Sequence, residues 1–360
     1  MIKFLIRLTL AKATLASHPP FDETKKRKYT QVPLSVPTTM PNNLPIHLDD
    51  IRTAHERIVK HVVRTPLIPN ALLTKELGCD VHFKCENLQH VGAFKTRGAC
   101  NAVFSLTDEE AQRGVVTHSS GNHAAALARA AAIRGIPAHI VMPHNSSRIK
   151  LAAVEALGVR PVLCEPDAES RQRGADEIQK STGATLIHPY NNTAVMAGQG
   201  TVGLEILEQL ENVDTVVVPV GGGGLLSGVL VAIKSLRPEI EVIAAEPVWA
   251  DDAARSLKSG QIEMPTRYDT IGDGLRTPLG ELTFAVIQSL LDDILLVEEE
   301  TIAAATRAIA HRAKLIAEPS GAVPLAAVFQ HRQRFAGRRV ALVISGGNLD
   351  LSQFNLQEPS

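Results

Sequence analysis

Val216-Val217-Val218-Pro219-Val220-Gly221-Gly222-Gly223-Gly224-Leu225 is the stretch from which the fold can be read. From Thr215 to Ile233 there is no charged residue, which raises the question of a membrane span. Pro219, the four consecutive glycines and Gly228 would break a spanning helix, whereas a strand, a tight turn and a helix accommodate them. A strand apolar on both faces belongs in a parallel sheet covered by helices. The rest of the chain repeats this pattern. Strand-like runs stand at Val81–Cys85, Val115–His118, Ala138–Met142, Arg160–Cys164, Ala184–His188, Asp214–Val220, Glu241–Glu246, Ile294–Val297 and Arg339–Ile344. Ala/Leu-rich helical patterns lie between them, for example over Ala124–Arg134, Arg148–Leu157 and Thr301–Lys314. The alternation predicts an α/β fold of parallel sheets, with ligands at the carboxyl ends of the strands.

The 360 residues suffice for two lobes with real cores. A formal net charge of −1 and 4% aromatic residues give no support for a nucleic-acid partner. Cys79, Cys85, Cys100 and Cys164 form no CxxC pair and have no histidine at zinc-ligand spacing, so free thiols in a reducing, cytoplasmic compartment are expected. The first sixteen residues lack acids and weakly resemble a transit peptide. Six prolines from Pro19 to Pro45 and the basic run Lys25–Lys28 cannot bury a core. Residues 1–44 are therefore expected to be a disordered or extraneous extension, with Met40 a candidate start. Order is expected from Leu48, where Ile51, Ala54, His55, Ile58, Val59 and Val62 recur at helical spacing behind a cap at Asp49 or Asp50.

Four loops, each placed after a strand-like run, carry the chemistry. Gly92-Ala93-Phe94-Lys95-Thr96-Arg97-Gly98 sets one lysine beside a ring, between glycines that let a ligand approach the backbone. Such a lysine is a candidate Schiff-base nucleophile if its surroundings lower its pKa. Ser119-Ser120-Gly121-Asn122-His123 opens an alanine-rich helix, and Ser345-Gly346-Gly347-Asn348 follows the last strand. The loop Gly221–Leu225 presents free amides and a positive helix end, suited to a phosphate or carboxylate. Its spacing fits neither a dinucleotide fingerprint nor a Walker loop.

Taken in order, these four motifs resemble the fold-type-II pyridoxal-phosphate enzymes (tryptophan synthase β-like), and within them the threonine/serine dehydratase and serine racemase branch. The likeness runs from about Leu48 to Leu351. It implies two open parallel-sheet lobes with the cofactor between them: a large domain of residues 45–113 plus 190–360, and a small mobile domain of 114–189. It also implies that Lys95 forms the internal aldimine and then acts as acid and base at the substrate Cα, with Phe94 beside the ring. Gly221, Gly222, Gly223, Gly224 and the Leu225 amide would hold the 5′-phosphate, and Asn122 the ring's 3′-oxygen. Ser119, Ser120, Gly121, Asn122 and His123 would bind the substrate carboxylate. Ser345 would face the pyridine nitrogen. An aspartate there keeps that nitrogen protonated; a neutral hydroxyl does not, which favours prompt loss of a β-hydroxyl over a long-lived carbanion.

The reaction so implied is dehydration and deamination of a small hydroxy amino acid, L-serine or L-threonine, to a 2-oxo acid and ammonia. Two alternatives stand beside it: a serine racemase with side elimination, and a 3-hydroxyaspartate dehydratase. Glu246, the Ala250 carbonyl and Asp252 resemble the racemase-type divalent metal site for Mg²⁺, Ca²⁺ or Mn²⁺; a strand end followed by an acid-capped helix would look the same. Arg171, downstream of Cys164-Glu165-Pro166, would reach the substrate carboxylate side. Ser120 would be the acid on the face opposite Lys95. For the second carboxylate of a 3-hydroxyaspartate, Arg97, Arg148 and Arg171 are the candidates. A homodimer is the implied assembly, with no membrane partner.

Overall fold

The computed structural model describes residues 40–350 apart from Ser120 and Ser147. The expectations for residues 1–39 therefore lie outside the described residues. Among the described residues ten strands form two sheets: β1 (Leu67–Pro69), β2 (Asp80–Cys85), β3 (Val115–His118), β4 (Ala138–Pro143), β5 (Val162–Cys164), β6 (Thr185–Leu186), β7 (Thr215–Pro219), β8 (Glu241–Pro247), β9 (Asp293–Val297) and β10 (Arg339–Ile344). The larger sheet has the order β1-β2-β10-β7-β8-β9, and the smaller β5-β4-β3-β6. All pairs are parallel except β1 with β2.

The apolar run that opens the sequence becomes strand β7, a glycine loop and the helix Gly224–Leu236, with every residue of β7 buried. Alternate side chains serve opposite faces of the sheet. Val216, Val218, Val242, Ala244, Ala341 and Val343 enter one core, while Val217, Ile243, Ala245, Val340, Leu342 and Ile344 enter the other. In the smaller sheet Val115 and Ile140 face one cluster and Val116 and Val141 a second. Among the described residues no helix is long and apolar enough to cross a membrane.

Strand order is what builds the site. β10, last in the chain, inserts between β2 and β7. The segments leaving β2, β10 and β7 thus start side by side, across two strand spacings or about 10 Å. These are the lysine turn, the Ser345 loop and the glycine loop.

Two local expectations change, and one strand is added. The cap of the Leu48–Ile58 helix is His47, whose amide donates to the Asp50 carboxylate at 2.7 Å, so Asp50 closes the first turn from inside it. Leu67–Pro69 is an antiparallel edge strand too short to announce itself, and its proline is tolerated because an edge leaves N–H positions unpaired. The helical pattern over Thr301–Lys314 divides into an α-helix, Glu299–Ala308, and a wider turn, Ile309–Ala313, that ends at Lys314 with φ 58°.

Candidate active site

Lys95 begins the helix Lys95–Ser105, and its position is set by backbone bonds to the Ser345 loop. The Phe94 amide donates to the Ser345 carbonyl at 3.0 Å, and the Gly347 amide to the Gly92 carbonyl at 2.9 Å. Val91 just upstream sits at φ 54°, a conformation that strains a β-branched residue, and strain of this kind gathers at working sites. The partly buried Lys95 side chain passes 5.0 Å from the Phe94 ring centroid, and its Nζ donates to the Pro189 carbonyl at 2.7 Å. Burial pulls its pKa down to about 8, against the opposing charge of Glu318. The amine is therefore available near neutrality, as a Schiff-base lysine requires.

Asn122 opens the helix Asn122–Arg134 at the carboxyl end of β3. Its side chain donates to Glu318 Oε1 at 2.8 Å and accepts from Asn348 Nδ2 at 2.8 Å, while Glu318 donates its own amide to the Gly346 carbonyl at 3.0 Å. The loops after β3 and β10 are thus joined through a buried glutamate that sequence reasoning missed. Its one signal is an acid directly before Pro319-Ser320-Gly321, where a proline-initiated helix begins. Burial, with the charge of Asp273 adding to it, pushes Glu318 up to about 7.

The glycine loop is built to exclude side chains. A Cβ on Gly222 would meet the Tyr190 ring at 2.4 Å, and Gly223 holds φ 85°. Thr283 Oγ1 donates to the Gly222 carbonyl at 2.8 Å, fixing the loop from behind. Among the described residues no protein acceptor meets the amides of Gly222, Gly223, Gly224 and Leu225. Orphan amides at a helix N-terminus are an anion cradle. Ser345 is buried at the end of β10, next to the lysine turn. This cradle, the amine and the buried hydroxyl fit the phosphate, aldehyde and ring of pyridoxal phosphate.

Ser119 accepts from the Gly121 amide at 3.4 Å. Ser120 lies outside the described residues. His123 points inward, with Nε2 3.1 Å from the Ile187 carbonyl and Nδ1 buried without a partner among the described residues. Burial, with the Lys95 charge nearby, pushes it down to about 3, so it is a neutral ring whose contribution to an anion would come from its backbone. His188 accepts from the Tyr190 and Asn191 amides at Nδ1 and is held down to about 4 by burial, then by His118 and Lys95. Neither His188 nor Tyr190 stands out in the sequence; their signal is an aromatic pair around Pro189 at the close of a strand-like run.

Arg171 sits in the helix Ala168–Thr182, bonds the Asp167 carbonyl at 3.3 Å, and lies close enough to His118 and Tyr190 for its charge to act on both. Arg148 is exposed. Arg97 is removed from the list of substrate-binding candidates: it is fully buried and bonded to two carboxylates.

Glu246 is the penultimate residue of β8, and Ala250 closes the turn Val248–Ala250 before the helix that Asp252 begins. Glu246 accepts the Ala253 and Ala254 amides at 2.8 and 2.9 Å, so it does cap that helix. Both Asp252 carboxylate oxygens are nonetheless buried without a partner among the described residues. Burial raises Asp252 to about 7 and Glu246 well above its usual range. No cluster of three or more His, Cys, Asp or Glu side chains suited to a metal occurs among the described residues. The two acids, close enough for the Asp252 charge to act on Glu246, are oxygen donors of the kind that could hold a hard divalent cation. The thiols stay apart from this chemistry: burial pushes Cys79 and Cys100 up to about 11 and Cys85 to about 12.

Residues 58–346 match the family described as pyridoxal-phosphate dependent enzyme. The chain is 45% identical over 316 residues to a serine racemase of Dictyostelium discoideum, a match covering 86% of this chain and 97% of that protein. It is 44% identical over 305 residues to a beta-hydroxyaspartate dehydratase of Paracoccus denitrificans, covering 85% and 97%. Maize serine racemase has a similar structure, with a TM-score of 0.84 at 44% identity, covering 85% of this chain and 95% of that one.

Proposed function

The chain belongs to the family of pyridoxal-phosphate-dependent enzymes, with the fold-type-II architecture, and on that footing we propose that it interconverts L- and D-serine and also eliminates water from L-serine to give a 2-oxo acid and ammonia. The observation that carries this reading is Lys95: an amine lowered to about 8, held at the junction of the Ser345 loop and the chain after β6. From the sequence, elimination from L-serine or L-threonine comes first. The relatives named serine racemases favour the alternative, with elimination as a second outcome of the same proton removal.

Pyridoxal phosphate, when bound, supplies an electron sink for a carbon losing its proton. The chain's own residues do the rest. The amides of Gly222–Leu225 bind the phosphate, backed by the positive helix end. Phe94 packs beside the ring, Asn122 orients it, and Ser345 presents a neutral hydroxyl. Backbone amides of the Ser119–His123 loop hold the substrate carboxylate, with Arg171 at its side. Lys95 takes or returns the α-proton on one face, and Ser120 serves the other. The smaller sheet draws its strands from between Val115 and Leu186, which supports reading 114–189 as the small, moving domain. A homodimer belongs to the same proposal.

A second reading, 3-hydroxyaspartate dehydratase, is favoured by the Paracoccus relative. It needs a cation for the second carboxylate, and Arg171 is the candidate beside His118 and Tyr190. Incubation with L-serine, L-threonine and 3-hydroxyaspartate, reading 2-oxo acid and D-serine, separates these readings.

Glu246, Ala250 and Asp252 are proposed to hold Mg²⁺ or a similar ion. The folded Asp252 at about 7 lies above its unfolded value of about 3.9, so the native state retains the extra proton between them. Its contribution to stability is therefore full below about pH 4 and lost as pH rises through 7. Asp252 would give up that proton where it held a divalent cation. In excess chelator the melting temperature is expected to fall between pH 5 and 8, and added Mg²⁺ to restore it. A melting curve indifferent to chelator at pH 8 would count against the metal.

A further inference from the structure

Two residues beyond Lys95, Arg97 is the centre of a closed ionic cluster that holds no substrate and is sealed from solvent. Its Nε and Nη2 donate to the two oxygens of Glu86 at 2.8 Å each. Its Nη1 and Nη2 donate to the two oxygens of Glu205 at 2.7 and 2.8 Å. Weaker contacts reach Thr201 Oγ1 at 3.2 Å, the Val63 carbonyl at 3.3 Å and Thr65 Oγ1 at 3.4 Å. Lys84 completes the cluster, donating to Glu205 at 2.5 Å, to the Thr65 carbonyl at 2.7 Å and to Gln209 at 3.0 Å. Arg97, Lys84 and Glu86 are 0% exposed and Glu205 2%. Two cations thus face two carboxylates, and every carboxylate oxygen is satisfied.

A buried ionic cluster is weak evidence for stability, because desolvation offsets the Coulombic gain. Geometry is what it does supply: a guanidinium fork paired with two carboxylates fixes both position and rotation. The groups it joins are informative. Lys84 and Glu86 flank the end of β2, Arg97 lies in the first turn of the lysine helix, and Glu205 lies in the helix Thr193–Gln209. Residues two apart on a helix point about 200° from each other. Arg97 therefore grips the turn from the core while Lys95 projects from its other side. No side chain caps this helix start. Its other ties are the Phe94 amide to Ser345, Thr96 Oγ1 to the His90 carbonyl at 2.7 Å, and the Gly98 amide to Gln199 Oε1 at 3.2 Å.

We propose that Arg97, clamped by Glu86 and Glu205, is a positioning residue that sets the Lys95 amine in its reacting place. The inference rests on the reading of Lys95 as the cofactor-binding lysine. A shift of the amine by about 1 Å can cost on the order of 100-fold in reactivity.

The test uses the full chain stripped of cofactor and resupplied with pyridoxal phosphate, then reduced with borohydride; mass spectrometry of the Lys95 peptide gives the rate of attachment. Arg97→Lys keeps the charge but loses the fork. At saturating cofactor it is expected to slow attachment about tenfold or more, and to lower kcat with little change in KM for L-serine. Glu86→Gln keeps the shape, loses one charge, and is expected to slow attachment in the same direction; it decides the matter if Arg97→Lys does not fold. Attachment at the wild-type rate in the folded variants, even with a lowered melting temperature, would overturn the proposal and leave the cluster a structural one. Failure of the wild-type chain itself to attach the cofactor is a different result, and overturns the reading of Lys95 beneath it.

Discussion

Lys95→Ala is expected to lower turnover of every substrate by at least about 10⁴-fold and to abolish the visible colour of lysine-bound cofactor, with the melting temperature nearly unchanged. The separation of function from stability follows from where the side chain sits. Among the described residues Lys95 makes one hydrogen bond, to the Pro189 carbonyl, whereas the helix it begins is held by Arg97, Thr96 and the Phe94 amide. Removing the amine therefore leaves the turn in place. The wild-type pH dependence belongs to the same expectation. Burial places the amine near pH 8, and only its neutral form attacks an aldehyde, so cofactor attachment should quicken with rising pH and level off above about 8. A Lys95→Ala protein that still turns over would end the assignment.

The second large effect is selective. Ser120→Ala is expected to reduce D-serine formation from L-serine by about 100-fold or more, and elimination from L-serine by less than about tenfold. Racemisation needs a proton removed on one face of Cα and another delivered on the opposite face. Elimination from L-serine needs only the first step and departure of the hydroxyl. The loop that carries Ser120 leaves β3 of the smaller sheet, whereas Lys95 follows β2 of the larger one. Asn122, two residues on, is tied to Glu318 and Asn348, which joins it to the loop after β10. Equal losses of both reactions would show that Ser120 is no dedicated opposite-face acid.

The parallel sheets were legible because strands buried on both faces read as unbroken apolar runs, as in Val216–Val218 and Val340–Ile344. The four loops were legible because in each of them glycine and small polar residues follow a strand-like run. The strands that lead into the lysine turn, the Ser345 loop and the glycine loop do lie side by side, since β10 inserts between β2 and β7. That insertion is a long-range pairing with no local signal. Glu318 and Tyr190 were illegible for the same reason. An acid before a proline reads as a helix cap until Asn122 is found bonded to it, and a tyrosine reads as surface until Gly222 is found packed under its ring. Arg97 was misread: within the sequence it is one more cation near a catalytic lysine, and only burial reveals that two carboxylates have claimed it. β1 was missed because three residues are too few for a periodicity to show.

The most direct measurement is a chiral product assay with purified enzyme and L-serine, following D-serine and 2-oxo acid in the same reaction and comparing L-threonine and 3-hydroxyaspartate in parallel. The expected result is D-serine together with 2-oxo acid from L-serine, both lost in Lys95→Ala. Turnover of 3-hydroxyaspartate or L-threonine with no D-serine from L-serine would contradict it.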